Sequence, residues 1–339
     1  MGRALVVASL LSVLVVTATA IALMVELVVS LVRGAVAAAG GAQVPWSSYL
    51  RPAPAFDVWL YLVMLYLLIV VPLVVLLVLL GGLGASRRGP RRALPTTWDI
   101  RGKRIAVVLT ALDDEASIGG AVDEFRALPE VGTVLVAENA SQDRTAQVAR
   151  DHGAIVVTVK PRGYGHTCLG GLRAAMERTD AEVIVLSEGD GTFFAEDLRK
   201  LVPYLADCDM ALGSRTNREL NRPGSQMDWF MAWGNLFLAF LVRLRYWDSA
   251  FLGAVQLTDV GCTFRALRRD ALERILRQLT VGGMYFSPHM ILIGLRNGLS
   301  VVEAPIKFRE RVGVSKGAGH SRARALRIGF EMLGEILLH

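Results

Sequence analysis

The chain has 339 residues, 53% of them hydrophobic and only 20% charged, with a formal net charge of +6. That balance excludes an ordinary soluble protein and points to a globular part joined to membrane segments. The cysteines, Cys168, Cys208 and Cys262, fit no zinc-site spacing, and an odd count in a cytosolic domain indicates free thiols.

Residues 4–25 carry no charge, and neither do residues 58–82. At about 1.5 Å per residue, each covers roughly the 30 Å hydrocarbon core of a bilayer. The first run is too long for a signal-peptide core and lacks a small-residue cleavage site, so it is expected to be retained. Pro72 is expected to kink the second, which membrane helices tolerate. Glu26 is placed at the interface, and Trp46 and Tyr49 in the connection favour the headgroup zone. Residues 87–104 then hold seven Arg or Lys and one Asp. Such a cluster stays cytoplasmic and attracts anionic headgroups, although Arg33 and Arg51 in the connection reduce the asymmetry. The expectation is a hairpin of two transmembrane helices over 1–84 and a basic juxtamembrane linker over 85–103. This makes a multi-pass protein of the cell membrane whose remaining part is cytoplasmic.

From residue 104 the pattern changes. "RIAVVLTA", "GTVLVAEN", "AIVVTVK" and "EVIVLSEGD" read as short strands. "SIGGAVDEFRAL", "DRTAQVARDHG" and "HTCLGGLRAAMERT" between them read as helices. This alternation predicts βαβ units and a mostly parallel sheet, with ligands gathered beyond the carboxyl ends of the strands. The strand ends are polar: Asp113, Asp114 and Glu115, then Glu138 and Asn139, then Arg162, Gly163 and Tyr164, then Glu188 and Asp190. They are expected to meet on one rim. Residues 226–247, rich in Trp, Phe and Leu, read equally as an interfacial helix or a buried core helix. Residues 321–339 are basic first and apolar later, and predict an amphipathic helix.

Glu188 and Asp190 flank Gly189. In an extended segment residues i and i+2 point the same way, and paired carboxylates repel unless a cation joins them. Hard oxygen ligands suit Mg²⁺ or Mn²⁺, which also keep waters and substrate phosphates. Thr192 follows on the same side. An acid-glycine turn leading into a helix cap explains these residues equally well on their own.

The order of motifs adds a resemblance. "TALDDE" (110–115), "ENASQD" (138–143), "RGYGHTCLGGLRAA" (162–175), "EGD" (188–190), "GSR" (213–215), "TDVGCTFRALRRDAL" (258–272) and "EAPIKFRERVGVSK" (303–316) occur in sequence. Over about residues 104–320 the chain resembles inverting glycosyltransferases of the nucleotide-sugar-binding GT-A fold. The likeness is greatest to the branch containing dolichol-phosphate mannose synthase and bacterial polyprenyl-phosphate hexosyltransferases. Thr110 stands where that family has proline, Leu112 for an aromatic, Asp113 for asparagine, Glu138 for aspartate, Ala140 for glycine, and Glu188 for the first aspartate of the metal motif. These changes leave a UDP- or GDP-hexose donor open.

The resemblance implies an α/β GT-A domain that moves a hexose to a polyprenyl phosphate. Metal ligation falls to Asp190, with Glu188 and Thr192 in support. The donor nucleotide is expected on Ala111, Leu112, Asp114, Glu115, Glu138, Asp143, Gly163, Tyr164, Gly165, Glu188 and Gly189, with Glu138 accepting from the base. Asp143 also suits a helix cap. A polyprenyl phosphate is already ionised, so it asks for positioning cations rather than a strong base. Lys307, Arg309, Arg311 and Lys316 supply them, and Arg215 is a further candidate; Asp259 reads as a base, a sugar-hydroxyl ligand or a cap. Two rival readings stand beside this one. In the first, a hydroxyl lipid acceptor of the diacylglycerol or ceramide type would make Asp259 an essential base. In the second, the chain is a non-catalytic sugar-nucleotide-binding membrane subunit. A membrane is an expected partner and nucleic acid is not; oligomeric state has no signature.

Overall fold

A computed structural model describes residues 101–246, 255–313 and 321–338, together with Asp99 and four isolated positions, 32, 35, 39 and 40. The chain divides into two units, Met1–Gly84 and Ala85–His339, and the second carries the fold. The expected hairpin of transmembrane helices lies outside the described residues, as does most of the basic linker. Among the described residues no helix is long and apolar enough to cross a membrane.

The second unit alternates as the sequence predicts. β1 (Ile105–Ala111), α1 (Ile118–Arg126), β2 (Val131–Glu138), α2 (Thr145–Asp151), β3 (Ile155–Thr158), α3 (Tyr164–Arg178) and β4 (Val183–Glu188) follow in order. Then come the short α4 (Leu198–Leu201), β5 (Met210–Ser214), α5 (Trp229–Arg245), β6 (Arg265–Arg268), α6 (Arg269–Leu276), α7 (Phe286–Arg296), β7 (Val301–Pro305) and α8 (Arg322–Leu338). The strands form one sheet in the order β3-β2-β1-β4-β6-β5-β7. β6 runs antiparallel to both its neighbours; the other pairings are parallel. The sheet is therefore mostly parallel and α/β, as expected.

Both faces of the sheet are covered, and the period-2 alternation of β1 shows how. Ile105, Val107 and Leu109 pack against α1 residues Ile118, Val122 and Phe125. Ala106 and Val108 face the other way, toward α3 residues Cys168 and Leu172 and α7 residues Met290 and Ile291. Each fully buried aliphatic side chain contributes about 1.5–3 kcal/mol. Register then aligns the strand ends: Ala111 pairs with Glu138, and Thr110 with Glu188.

α5 buries one face in the core, as the core-helix reading of residues 226–247 expects, and leaves an aromatic face exposed. Asp228 caps it, accepting from the Met231 N–H at 2.9 Å, and Arg243 and Arg245 complement the dipole at its last turn. Leu238, Ala239 and Val242 are buried in the core, whereas Trp229 and Trp233 are 66% and 68% exposed and Phe237 and Phe240 are also exposed. α8 packs on α5 and α7. It buries Ile328 and Ile336 and leaves Leu326 and Phe330 exposed. His289 of α7 and Glu335 of α8 are buried together, with Nδ1 2.5 Å from Oε1. That contact gives His289 a structural role.

Candidate active site

The carboxyl ends of β1, β4, β5 and the segment after β7 open into one cleft of about 860 Å³. Its inner wall carries Ala111, Leu112, Asp114, Asn139, Tyr164, Glu188, Asp190, Thr192, Arg215, Thr263 and Arg311. Its outer wall is the α5 and α8 pair, through Phe230, Trp233, Phe237, Leu326, Phe330 and the basic Arg324. An acidic and basic floor thus runs directly into an apolar, aromatic mouth.

Asp190 is buried on a turn that geometry fixes. A Cβ at Gly189 would meet the tip of the Ile118 side chain and lie 3.3 Å from Thr110 O, so Ile118 would have to shift to admit a larger residue between the two acids. The Gly189 N–H donates to Thr110 O at 2.9 Å, and Ser117 Oγ donates to Gly189 O at 2.9 Å. Asp190 Oδ1 accepts from the Thr192 N–H at 3.0 Å and from its hydroxyl at 2.6 Å. Oδ2 accepts from Arg311 Nη1 at 2.7 Å, and Arg311 Nη2 reaches Asp114 Oδ1, also at 2.7 Å. Glu188 lies beside α3, where Oε1 accepts from Thr263 Oγ1 at 2.7 Å and Tyr164 OH at 3.1 Å. Burial, and then the charge on Asp190, push its carboxyl up to about 7.

Arg215 leaves the end of β5 and lines the cleft, its guanidinium 5.2 Å from the centre of the Phe308 ring. It makes a two-point contact with Asp259, Nε to Oδ2 at 2.8 Å and Nη2 to Oδ1 at 3.0 Å. Asp259 also accepts from the Arg215 and Gly261 N–H groups, and it is absent from the cleft wall. In this structure its carboxylate holds the Arg215 guanidinium and stands outside the cleft wall, away from the position that a base or sugar-ligand reading of Asp259 would share with the cleft residues. Asp259 is held in turn by Glu303, whose Oε1 accepts from its N–H at 2.8 Å.

The remaining expected residues divide. Ala111, Leu112, Asp114, Gly163 and Tyr164 line the cleft. Glu115, Glu138 and Asp143 stand at the strand ends but engage the loops that carry them. Asp143 takes the Glu115 and Thr145 N–H groups, Glu115 takes the Arg144 N–H, and Glu138 Oε2 takes the Ser141 N–H. Asp143 thus ties the loop before α2 to the segment after β1, while Arg144 holds the N-cap position of that helix without a side-chain cap bond. In the Gly-rich turn, a Cβ on Gly163 would collide with Gly282 O and one on Gly165 with Val281 O. The Gly165 N–H donates to Gly282 O at 3.0 Å. These glycines let the 281–283 loop pack on α3, and His166 packs over Gly282.

Of the four basic residues expected near the acceptor, Arg311 alone among the described ones reaches the cleft. Lys307 pairs with Glu196, and Arg309 reaches Glu124 Oε1 at 2.7 Å and lies 4.3 Å over Phe194. Both lie outside the cleft wall because acids of α1 and of the segment after β4 hold them on the outer surface. Lys316 lies outside the described residues. Residues unmarked in the motifs also matter. Thr263 anchors Glu188, and Asn235 of α5 accepts from the Gly261 N–H at 3.1 Å. Asn139 ties the chain near Gly163 to β2, donating to Val159 O and Pro161 O and accepting from the Gly163 N–H, each at 2.8 Å. Thr263 lay inside a motif, whereas Asn235 in an aromatic helix carried no signal of its own.

The sheet is mostly parallel, with an acidic turn at its carboxyl rim, which agrees with the GT-A fold that the resemblance implies. Residues 106–276 match the family described as Glycosyl transferase family 2, about half of the chain. The chain belongs to that family and is a glycosyltransferase. It is 32% identical over 215 residues to the low-salt glycan biosynthesis hexosyltransferase Agl6 of Haloferax volcanii, covering 62% of this chain and 48% of that one. The chain thus spans about half the length of that relative. It is 31% identical to polyprenol monophosphomannose synthase of Mycolicibacterium smegmatis, over 59% of this chain and 75% of that one. It is 28% identical to dolichyl-phosphate hexose transferase of Haloferax volcanii, over 62% and 86%. Glucosyl-3-phosphoglycerate synthase from Mycobacterium tuberculosis, solved with Mn²⁺, uridine diphosphate and glucosyl-3-phosphoglycerate, is similar in fold. The TM-score is 0.51 at 18% identity, covering 74% of this chain and 86% of that chain.

Proposed function

We propose that this chain transfers a hexose from a nucleoside diphosphate sugar to a polyprenyl phosphate, inverting the anomeric carbon, with a divalent metal and at the cytoplasmic face of the cell membrane. One observation carries the reading: the cleft joins a charged floor, Asp190 with Arg311 and Arg215, to an apolar mouth built by α5 and α8. A donor diphosphate matches the first and a phosphorylated lipid matches both. The relatives named for polyprenol and dolichyl phosphate support the same acceptor.

The residues fit Mg²⁺ or Mn²⁺ at Asp190. Its Oδ2 already holds a cationic group, Arg311, while no cluster of three His, Cys, Asp or Glu side chains converges among the described residues. A divalent ion there would share Asp190 with oxygens of the donor diphosphate, and when bound it offsets charge on the departing nucleoside diphosphate. Glu188 supports this turn from below, through Thr263 and Tyr164. Ala111 and Leu112 offer the nucleoside a wall, and Glu138 stands at the end of β2 beside them. Arg311 and Arg215 meet phosphate oxygens, which guanidinium groups grip in pairs. The acceptor oxygen arrives as an anion, so positioning replaces general-base catalysis. A hydroxyl acceptor would need a free base, and the Asp259 carboxylate is already taken by Arg215.

Anchoring completes the reading. Two transmembrane helices and the basic linker would hold the exposed face of α5 and α8 against the headgroups, where the acceptor phosphate lies. The test is direct: membranes containing the protein receive radiolabelled UDP- and GDP-hexoses, polyprenyl phosphate and Mn²⁺. An acid-labile, alkali-stable labelled lipid is expected from one donor, and it disappears in Asp190→Asn. No such lipid from any of them would overturn the proposal.

A further inference from the structure

Asp114 and Asp190 leave different strands, β1 and β4, and Arg311 joins them. Its two terminal nitrogens each donate to one carboxylate at 2.7 Å, and its side chain is 13% exposed. The second oxygen of each acid is engaged locally, by the Leu112 N–H for Asp114 and by Thr192 for Asp190. Arg311 Nε is buried and has no hydrogen-bond partner among the described residues. The backbone beside it is pinned to the acidic turn, with the Arg309 N–H on Thr192 O at 3.0 Å and the Val312 N–H on Asp190 O at 3.2 Å. The segment that carries Arg311 is thus held by its own backbone bonds, separately from the side chain's two contacts.

We infer that Arg311 is a built-in counter-cation that closes the donor site to a bare divalent ion, and that a diphosphate draws it off Asp190. The inference rests on the reading of Asp190 as the metal ligand. An ion approaching Asp190 Oδ2 meets a guanidinium already there, and like charges at that range repel. Displacing Arg311 by metal alone would also strand its charge in a half-buried place. A diphosphate changes this balance, because it offers paired oxygens to the same guanidinium and a partner to the unbonded Nε. Metal and nucleotide therefore enter together, and Arg311 passes from carboxylate to phosphate as they do. It is a positioning residue for the empty site and a ligand-contacting one in the filled site.

The experiment is Mn²⁺ binding to the full chain in detergent without nucleotide, read from the free-ion electron paramagnetic resonance signal. Freeing Asp190 of its competitor should tighten bare Mn²⁺ binding at least about fivefold in Arg311→Gln. Arg311→Lys, which cannot span both acids, should tighten it about twofold or more. Arg162→Gln removes an exposed cation from the same cleft and is expected to change it less than about twofold, being screened. Adding UDP or GDP should raise the affinity of the wild-type protein more than that of Arg311→Gln. Unchanged or weaker binding in both Arg311 variants overturns the inference, as does an equal gain in Arg162→Gln. If Arg311→Gln does not fold, Arg311→Lys decides alone. Asp190→Asn in the Arg311→Gln background separates the two readings. A gain that survives it places the ion elsewhere and removes the metal assignment too. Absence of any gain, while Mn²⁺ with nucleotide still depends on Asp190, overturns this inference only.

Discussion

The Arg215 guanidinium lies against the Asp259 carboxylate through two bonds, with Asp259 wholly buried and Arg215 14% exposed. Removing one partner of a buried pair leaves a charge with nothing to answer it, which costs about 3–5 kcal/mol. Asp259→Ala should therefore lower stability by that order in urea unfolding and abolish turnover. Asp259→Asn keeps a hydrogen-bonding group and should cost less, about 1–3 kcal/mol. Because the Asp259 carboxylate is engaged by Arg215, the Asn variant should keep the wild-type shape of kcat against pH at lower amplitude. Loss of a carboxylate-like limb in that variant would instead assign Asp259 as a base.

Glu188 gives a pH dependence with a definite sign. Its carboxyl rises from an ordinary 4.5 to about 7 in the folded chain, through burial first and Asp190 second, with Thr263 opposing. Between those values the folded state keeps a proton that the unfolded chain has released. The folded state binds more protons there, so this group makes stability fall as pH rises through the window, levelling off above about 7. Glu188→Gln removes the titration. Urea midpoints measured between about pH 5 and pH 8 should slope less in the variant than in the wild type. Equal slopes would mean that Glu188 titrates normally.

How much of this was legible can be judged from particular residues. The first four strands and three helices were readable because β-branched runs alternate with helix-length segments, and the sheet buries both faces. β6 was not, since its four residues include Arg265 and Arg268, both fully buried. Arg265 donates to the nearby Thr263 and Cys262 carbonyls and to the distant Ser287 carbonyl, and a buried arginine satisfied by backbone carbonyls leaves no periodic trace. In the site, Asp190, Arg215 and Arg311 followed from motif order. Glu115 and Asp143 did not resolve, because an acid at a strand end looks the same whether it awaits a ligand or ties down its own loop. Lys307 and Arg309 failed for the mirror reason: their partners, Glu196 and Glu124, lie far away in sequence.

Ala140 holds a backbone that its side chain disfavours. Its φ is 56°, in the left-handed region, on the loop after β2 where the resembled family carries glycine. A left-handed non-glycine residue costs about 1–2 kcal/mol, offset in part by the greater freedom glycine brings to the unfolded chain. Ala140→Gly should therefore stabilise the protein by up to about 1 kcal/mol, read as a higher melting temperature. Nucleotide affinity should stay within about twofold, because Ala140 is not on the cleft wall. A destabilised variant would show that the loop relaxes out of this conformation in solution.

The exposed face of α5 predicts which kinetic constant responds to its aromatic residues. Trp233 and Phe237 are 68% and 55% exposed, yet both belong to the cleft wall beside Phe330 of α8. Large apolar side chains open to solvent at the mouth of a charged site have a reason to be there if a hydrocarbon chain or bilayer covers them. Burying an aromatic ring is worth about 1.5–3 kcal/mol, so losing two, each partly covered, should weaken lipid engagement by about tenfold or more. In mixed detergent micelles, Trp233→Ala with Phe237→Ala should raise KM for polyprenyl phosphate by that factor. KM for the nucleotide sugar should move less than about twofold, because the donor meets the floor and not the mouth. Phe240, exposed on the same helix but absent from the cleft wall, supplies the comparison: Phe240→Ala should affect binding to anionic vesicles more than acceptor KM. If the double variant raises both substrates' KM together, the mouth shapes the whole cleft rather than receiving the lipid.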